Sequence, residues 1–172
     1  MPTACRAGVA ATALAPFLFW ITVPGLPPSQ AAALDSIVLA RTPCRGTCPV
    51  YELRITRTGQ VTFVSHRPGD STRASARLAQ SGIDSLLSEV NRARFFEFPT
   101  RIVDDPALCA HRSADLPGAI ITLYRRGSAR RVEDDLGCSG VEPSLAARLS
   151  ELRRLEAAID QIAGSRRWVR PD

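Results

Sequence analysis

An α+β fold, an antiparallel sheet of about five to six strands with two helices packed on one face, is predicted by the order of periodicities along this chain. Three observations carry it. Tyr51, Leu53 and Ile55 alternate with Glu52, Arg54 and Thr56, the period of a half-buried strand. Ile83, Leu86, Leu87 and Val90, and later Leu145, Leu149, Leu152, Leu155, Ile159 and Ile162, recur at helical spacing. Strand-type stretches precede the first helical stretch and recur between the two, so the order reads βββ(β)-α-ββ-α, which suits an antiparallel layer with helices on one side.

The chain opens on a different kind of segment. Arg6 is followed by the apolar stretch AGVAATALAPFLFWITV, which is short and broken by proline, and then by PGLPPSQAAA, which ends in a small-x-small pattern. Together they predict a signal peptide over residues 1–33, cleaved after Ala33, and a single mature domain over residues 34–172. An uncleaved N-terminal anchor is the alternative. No twin arginine is present, and Cys5 precedes the apolar stretch instead of ending it, so lipidation is not indicated. The mature domain is expected to be periplasmic or secreted, with no stable membrane span.

Along that domain IVLAR (Ile37 to Arg41) reads as a short strand, and the alternating stretch from Tyr51 as the next. Thr58-Gly59 supplies a turn, QVTFVS (Gln60 to Ser65) the hairpin partner, and TRASARL a weaker strand after the loop His66 to Asp70. Ser81 with Asp84 three residues on predicts a capping-box start for the first helix. Phe95, Phe96 and Phe98 are expected as core anchors. From Pro99 to Pro117 the chain reads as irregular. AIITLYRR, a turn at Gly127 and ARRVEDD form a second hairpin; LGCSG then leads to a helix with Pro143 in its first turn and Gly164 at its end. Trp168 is expected to fold back on the core.

Export gives the cysteines their meaning. Loss of Cys5 leaves Cys44, Cys48, Cys109 and Cys138, an even set in an oxidising compartment, so two disulfides are the default. Cys44 with Cys48 and Cys109 with Cys138 is the favoured connectivity, because the first two are forced close by sequence and the others flank the second hairpin. Gly46 permits the tight reversal such a short loop needs, and Pro49 and Tyr51 launch the strand beyond it.

R-T-P-C-x-G-x-C-P-x-Y from Arg41, A-D-L-P-x-x-x-I-T from Ala114, D-D-x-G from Asp134, and the L-x-x-x-I-D helix ending near Trp168 form an ordered set. The set resembles a family of bacterial secreted domains of unknown function, from about Ile37 to Trp168. The resemblance implies a single α+β domain and carries no activity, ligand or catalytic residue. It also implies that the Cys109 and Cys138 bridge is an optional staple.

Composition argues against several functions. All 22 basic residues are arginine, which together with plentiful Ala, Gly and Pro points to coding bias, so the net charge of +5 is weak evidence for nucleic acid. The arginines are interleaved with 17 acids and never run beyond two, and with 6% aromatics neither a phosphate-tracking stripe nor a stacking platform is present. No Ser-His-Asp order, glycine-rich phosphate loop or H-E-x-x-H motif occurs.

The expected function is therefore a non-catalytic binding or structural envelope module, without cofactor, whose partner is an envelope protein or a small ligand. The alternative is a copper-binding or thiol-redox protein. C-x-x-x-C-P also marks copper-delivery proteins, where Cys44 and Cys48 with a distant His111 would supply soft ligands. That motif should open a helix, whereas Gly46, Pro49 and the strand that follows oppose one here. A zinc site from all four cysteines lacks paired C-x-x-C knuckles. A candidate binding loop holds Asp104, Asp105, His111 and Asp115; with Asp134 and Asp135 nearby, these carboxylates would suit calcium or zinc.

Overall fold

The computed structural model describes Met1, residues 34–140 and residues 142–170. Beyond Met1, the signal segment expected over residues 1–33, with Cys5 and the cleavage point after Ala33, lies outside the described residues.

Strands β1 (Ser36–Arg41), β2 (Tyr51–Thr56), β3 (Gln60–Ser65) and β4 (Arg73–Arg77) form an antiparallel meander and lead into helix α1 (Gln80–Arg92). A two-residue strand β5 (His111–Arg112) precedes the long hairpin of β6 (Gly118–Arg125) and β7 (Ser128–Asp135). Strand β8 (Cys138–Ser139) and helix α2 (Pro143–Ala163) complete the order. Because β6 returns beside β1, the six-stranded sheet runs β4-β3-β2-β1-β6-β7, every neighbour antiparallel.

The period-two pattern decides which face is covered. Leu39, Leu53, Ile55, Val61, Phe63, Ile121 and Leu123 point to one side and join Ile83, Leu86 and Val90 of α1 and Leu149, Leu152, Leu155 and Ile159 of α2 in one core cluster. Each large side chain buried there contributes about 1.5–3 kcal/mol relative to exposure. The other face carries Arg54 and Thr62, with the Arg54 guanidinium 5.2 Å from the Tyr124 ring centre. Phe95 and Phe98 are buried as expected, while Phe96 packs partly buried against the cluster. Trp168 folds back with its ring centre 5.5 Å from that of Phe63, which lies 5.0 Å from Tyr51.

Gly59 adopts φ +82° in the β2–β3 turn, and a β-carbon there would approach the Leu78 carbonyl oxygen to 2.6 Å, so the turn needs glycine on both counts. The Leu78 amide in turn donates to the Gly59 carbonyl. That bond ends the β4 edge and sets where α1 begins, which corrects the expected capping box. The helix starts at Gln80 after Ala79, whose carbonyl accepts from the Gly82 and Ile83 amides, and no side chain caps it. Ser81 lies inside the first turn, where its carbonyl accepts from the Ser85 hydroxyl, and Asp84 accepts from the Gln80 amide group.

The segment expected as irregular also holds more order than its sequence suggests. His111 and Arg112 pair with Ser139 and Cys138 as a small second sheet, beside the bridge between Cys109 and Cys138. Two residues per strand are too few to show a period, and the pairing depends on a partner far along the chain.

The disulfides join Cys44 to Cys48 and Cys109 to Cys138. By loop-closure entropy the short loop contributes about 2 kcal/mol and the long one about 4 kcal/mol. Cys109→Ser with Cys138→Ser is therefore expected to lower stability roughly twice as much as Cys44→Ser with Cys48→Ser in urea melts. An equal loss from both pairs would show that the short loop does more than restrict the unfolded chain.

Candidate functional site

Arg41 ends β1 and Tyr51 begins β2, and the two are direct partners in the strand pairing. The nine residues between them form the loop closed by Cys44–Cys48, in which Gly46 takes φ +139°. The R-T-P-C-x-G-x-C-P-x-Y spacing thus places a guanidinium and a phenol side by side on the helix-covered face. Both reach the same carboxylate on α2. Arg41 Nε and Nη2 donate to Asp160 Oδ2 at 3.2 and 2.9 Å, and Tyr51 Oη donates to Asp160 Oδ1 at 2.5 Å. Ser165 Oγ adds a fourth donor to Oδ1 at 2.8 Å. Two donors on each oxygen occupy Asp160 well beyond a simple ion pair.

The remaining arm of Arg41 runs inward. Nη1 donates to Glu156 Oε2 at 2.8 Å, where the Glu156 side chain is 3% exposed. Glu156 lies within hydrogen-bonding reach of Asp134 on β7, which is also fully buried. Arg153 closes the far end, donating through Nε to Asp134 Oδ2 at 3.0 Å and through Nη2 to the Cys138 carbonyl at 2.7 Å. A continuous polar chain therefore crosses beneath the sheet: Tyr51 and Ser165, Asp160, Arg41, Glu156, Asp134, Arg153.

Its electrostatics follow from burial. Desolvation pushes the Glu156 carboxyl up to about 7; Arg41 opposes this and the neighbouring Asp134 adds to it. Asp134 is raised for the same first reason, against the pull of Arg153. Tyr51 is pushed up to about 12 by burial and then by its bond to Asp160. Burial acts to lower the Arg41 pKa, but Glu156 and Asp160 reverse this and raise it, so Arg41 remains a cation. Two guanidinium groups face three carboxyls, and two ionised carboxylates cannot bond each other. The network is neutral when the Asp134 and Glu156 pair holds one proton.

Arg41, Tyr51 and Asp160 also line an open groove of about 980 Å³, together with apolar Pro49, Ala157 and Val169 and the exposed Arg166 and Arg170. A smaller cleft, sharing Pro49, Tyr51, Val169 and Arg170, continues from it past Phe63.

Of the carboxylates singled out from sequence, Asp134 belongs to this network and the others lie elsewhere. Asp104 pairs with Arg101 at 3.2 Å, and the Asp105 carboxylate accepts from the Ala107 and Leu108 amides at 2.9 and 3.2 Å. His111 is exposed in β5. Asp115, at φ 67°, faces Arg45 at 3.5 Å with both side chains exposed. Asp135 accepts from Arg112 at 2.6 Å and from the Gly137 amide at 2.9 Å. Each carboxylate serves a local turn or ion pair, and they do not converge on a common point. Among the described residues no group of three or more His, Cys, Asp or Glu is placed to hold a metal ion, so neither the candidate loop nor Cys44, Cys48 and His111 form such a set. The cysteine sulfurs are bonded to each other, which leaves no thiolate for copper or for redox exchange unless the bridges are reduced.

Arg41, Tyr51, Asp134 and Asp160 stand in the sequence motifs, but Glu156 does not, and neither its burial nor the convergence of these groups was legible there although a signal was present. The buried positions of α2 are Leu149, Leu152, Leu155, Glu156, Ile159 and Ala163, so an acid stands on the apolar stripe. Val132 and Asp134 likewise share the inner face of β7. A charge at a core position demands a partner, and Arg41 on the same face of β1 was the cation to look for.

Among the described residues no helix is long and apolar enough to cross a membrane. No curated protein matches the chain. Residues 35–162, from the start of β1 to the last turn of α2, match the family model described as a domain of unknown function, DUF6438, and the chain belongs to that family.

Proposed function

We propose that the protein is an exported, disulfide-stapled binding domain of the bacterial envelope, without chemistry of its own, and that the groove beside the C-terminal end of α2 is its binding surface. One observation carries this reading: the groups of the groove that could act as base or nucleophile, Asp160 and Tyr51, are spent on one another and on Arg41, and the exposed Arg166 and Arg170 are cations with no lone pair to offer. Asp160 accepts four hydrogen bonds, Tyr51 donates to it, and Arg41 is shared between Asp160 and Glu156. A general base or nucleophile needs a lone pair or proton left available for substrate. A recognition surface needs a fixed shape, which this network and the neighbouring disulfide supply.

The test is photo-crosslinking in cells from a photoreactive residue placed at Ala157, in the groove, and at Thr62, exposed on the opposite face of the sheet. A discrete adduct from position 157 alone is the expected result. Equal labelling from both positions, or none from either, removes the groove as a binding surface. Fractionation of the same cells tests export: the periplasmic product should begin at Leu34 and show no free thiol before reduction. Reduced protein in the cytosol overturns that half of the reading, and copper bound at equal stoichiometry would restore the metal alternative.

A further inference from the structure

The side chains left over in the groove are nearly all donors. Asp160 has its four acceptor directions filled, so it offers a ligand little. Arg41 uses three of its five N–H groups and is 16% exposed, while Arg166 makes no hydrogen bond or ion pair among the described residues. Arg170 is only loosely held, its Nε 4.0 Å from Asp70. With three cations against one saturated carboxylate, the lining is positive by two charges. A groove of about 980 Å³ is far larger than a simple ion, and apolar Pro49, Ala157 and Val169 lie among the cationic groups. That volume stands at the upper end of ligand pockets.

We propose that this groove binds an extended acidic peptide segment of a partner protein, its carboxylates taken by Arg166, Arg170 and the spare N–H groups of Arg41 and its apolar side chains set against Pro49 and Val169. Guanidinium groups suit this role because they hold carboxylates with charge-assisted bonds while remaining weakly hydrated. Arg41 comes preorganised by Glu156 and Asp160, so ordering it on binding costs little. This inference rests on the groove being the binding surface.

The experiment is an NMR titration of the purified full chain with three probes: a synthetic peptide alternating glutamate with valine, the same peptide with lysine for glutamate, and inorganic phosphate. The glutamate peptide should shift the amides of Gln161, Arg166 and Val169. Arg166→Ala with Arg170→Ala should weaken it by about tenfold or more, as expected for losing two charged hydrogen bonds. Both arginines are exposed, so an unchanged melting temperature verifies that the variant folds. Equal binding of the lysine peptide, or binding of phosphate as tight as that of the glutamate peptide, overturns the acidic-peptide assignment while leaving the groove as a binding surface. Silence of the groove amides with all three probes, joined to the absence of a crosslink from position 157, overturns both.

Discussion

Arg41→Met is expected to cost about 3–5 kcal/mol of folding stability, the range seen when one partner of a buried ion pair is removed. The methionine stem fills much of the arginine volume, so the loss isolates the charge. Asp160 keeps Tyr51 and Ser165, but Glu156, 3% exposed, is left facing Asp134 with no cation on its own side. Urea unfolding at neutral pH should show a lower midpoint with an unchanged m-value. Adding Glu156→Gln should recover part of the loss, because it removes the charge that Arg41 had to neutralise, and the double-mutant cycle measures their coupling. A loss below about 1 kcal/mol would place this arginine with ordinary surface ion pairs and would overturn its role as the centre of the network.

Stability should also fall as pH rises from about 5 to 8, by about 3 kcal/mol, since Glu156 titrates at about 7 in the folded protein against an ordinary 4.5. The sign follows from proton counts. Between those two values the folded chain holds the proton and the unfolded chain has released it, so stability from this group is full below about 4.5 and declines until the pH passes about 7. Asp134 is shifted in the same direction by the same burial, while Arg41 on β1 and Arg153 and Asp160 on α2 set the surrounding charge. Asp70 works oppositely and elsewhere: the Thr72 hydroxyl and its other hydrogen-bond donors hold it at about 2, so what it contributes is lost only in strong acid. Glu156→Gln mimics the protonated carboxyl. It should flatten the profile between pH 5 and 8 and exceed the parent protein in stability at the alkaline end. A parent profile that is level or rising across that window would show that the Asp134 and Glu156 pair holds no proton.

These two expectations depend on residues of which one, Arg41, stood in a motif, while Glu156 was hidden in a helix read for its leucines. Hydrophobic period found α1 and α2 because burial selects residues of like chemistry at fixed spacing. The same rule passes over a buried charge, which looks like an exposed one until its partner is known. The expected cap at Ser81 failed for a related reason: a hydrogen bond from Leu78 back to the β2–β3 turn lets the helix start two residues earlier than the local pattern would, with Ala79 in place of Ser81 as the residue before it. Asp104, Asp105, His111 and Asp115 of the candidate loop form no metal-holding group among the described residues, because nearness in sequence does not make side chains converge. Each of the three aspartates was taken up by an amide or an arginine within its own turn or across a loop.

What the amino-acid sequence determined by itself is the α+β class, the order of its principal strands and helices, and the pairing of cysteines, all of which follow from local period, turn chemistry and short loop closure. Only the tertiary structure decided that β6 lies beside β1, that Arg41 and Tyr51 meet Asp160, and that a groove opens where they do. Those contacts join residues from 78 to 119 positions apart, and the energies of the Asp160 contacts come from desolvation and charge pairing, which no stretch of chain expresses before the sheet and α2 are packed together.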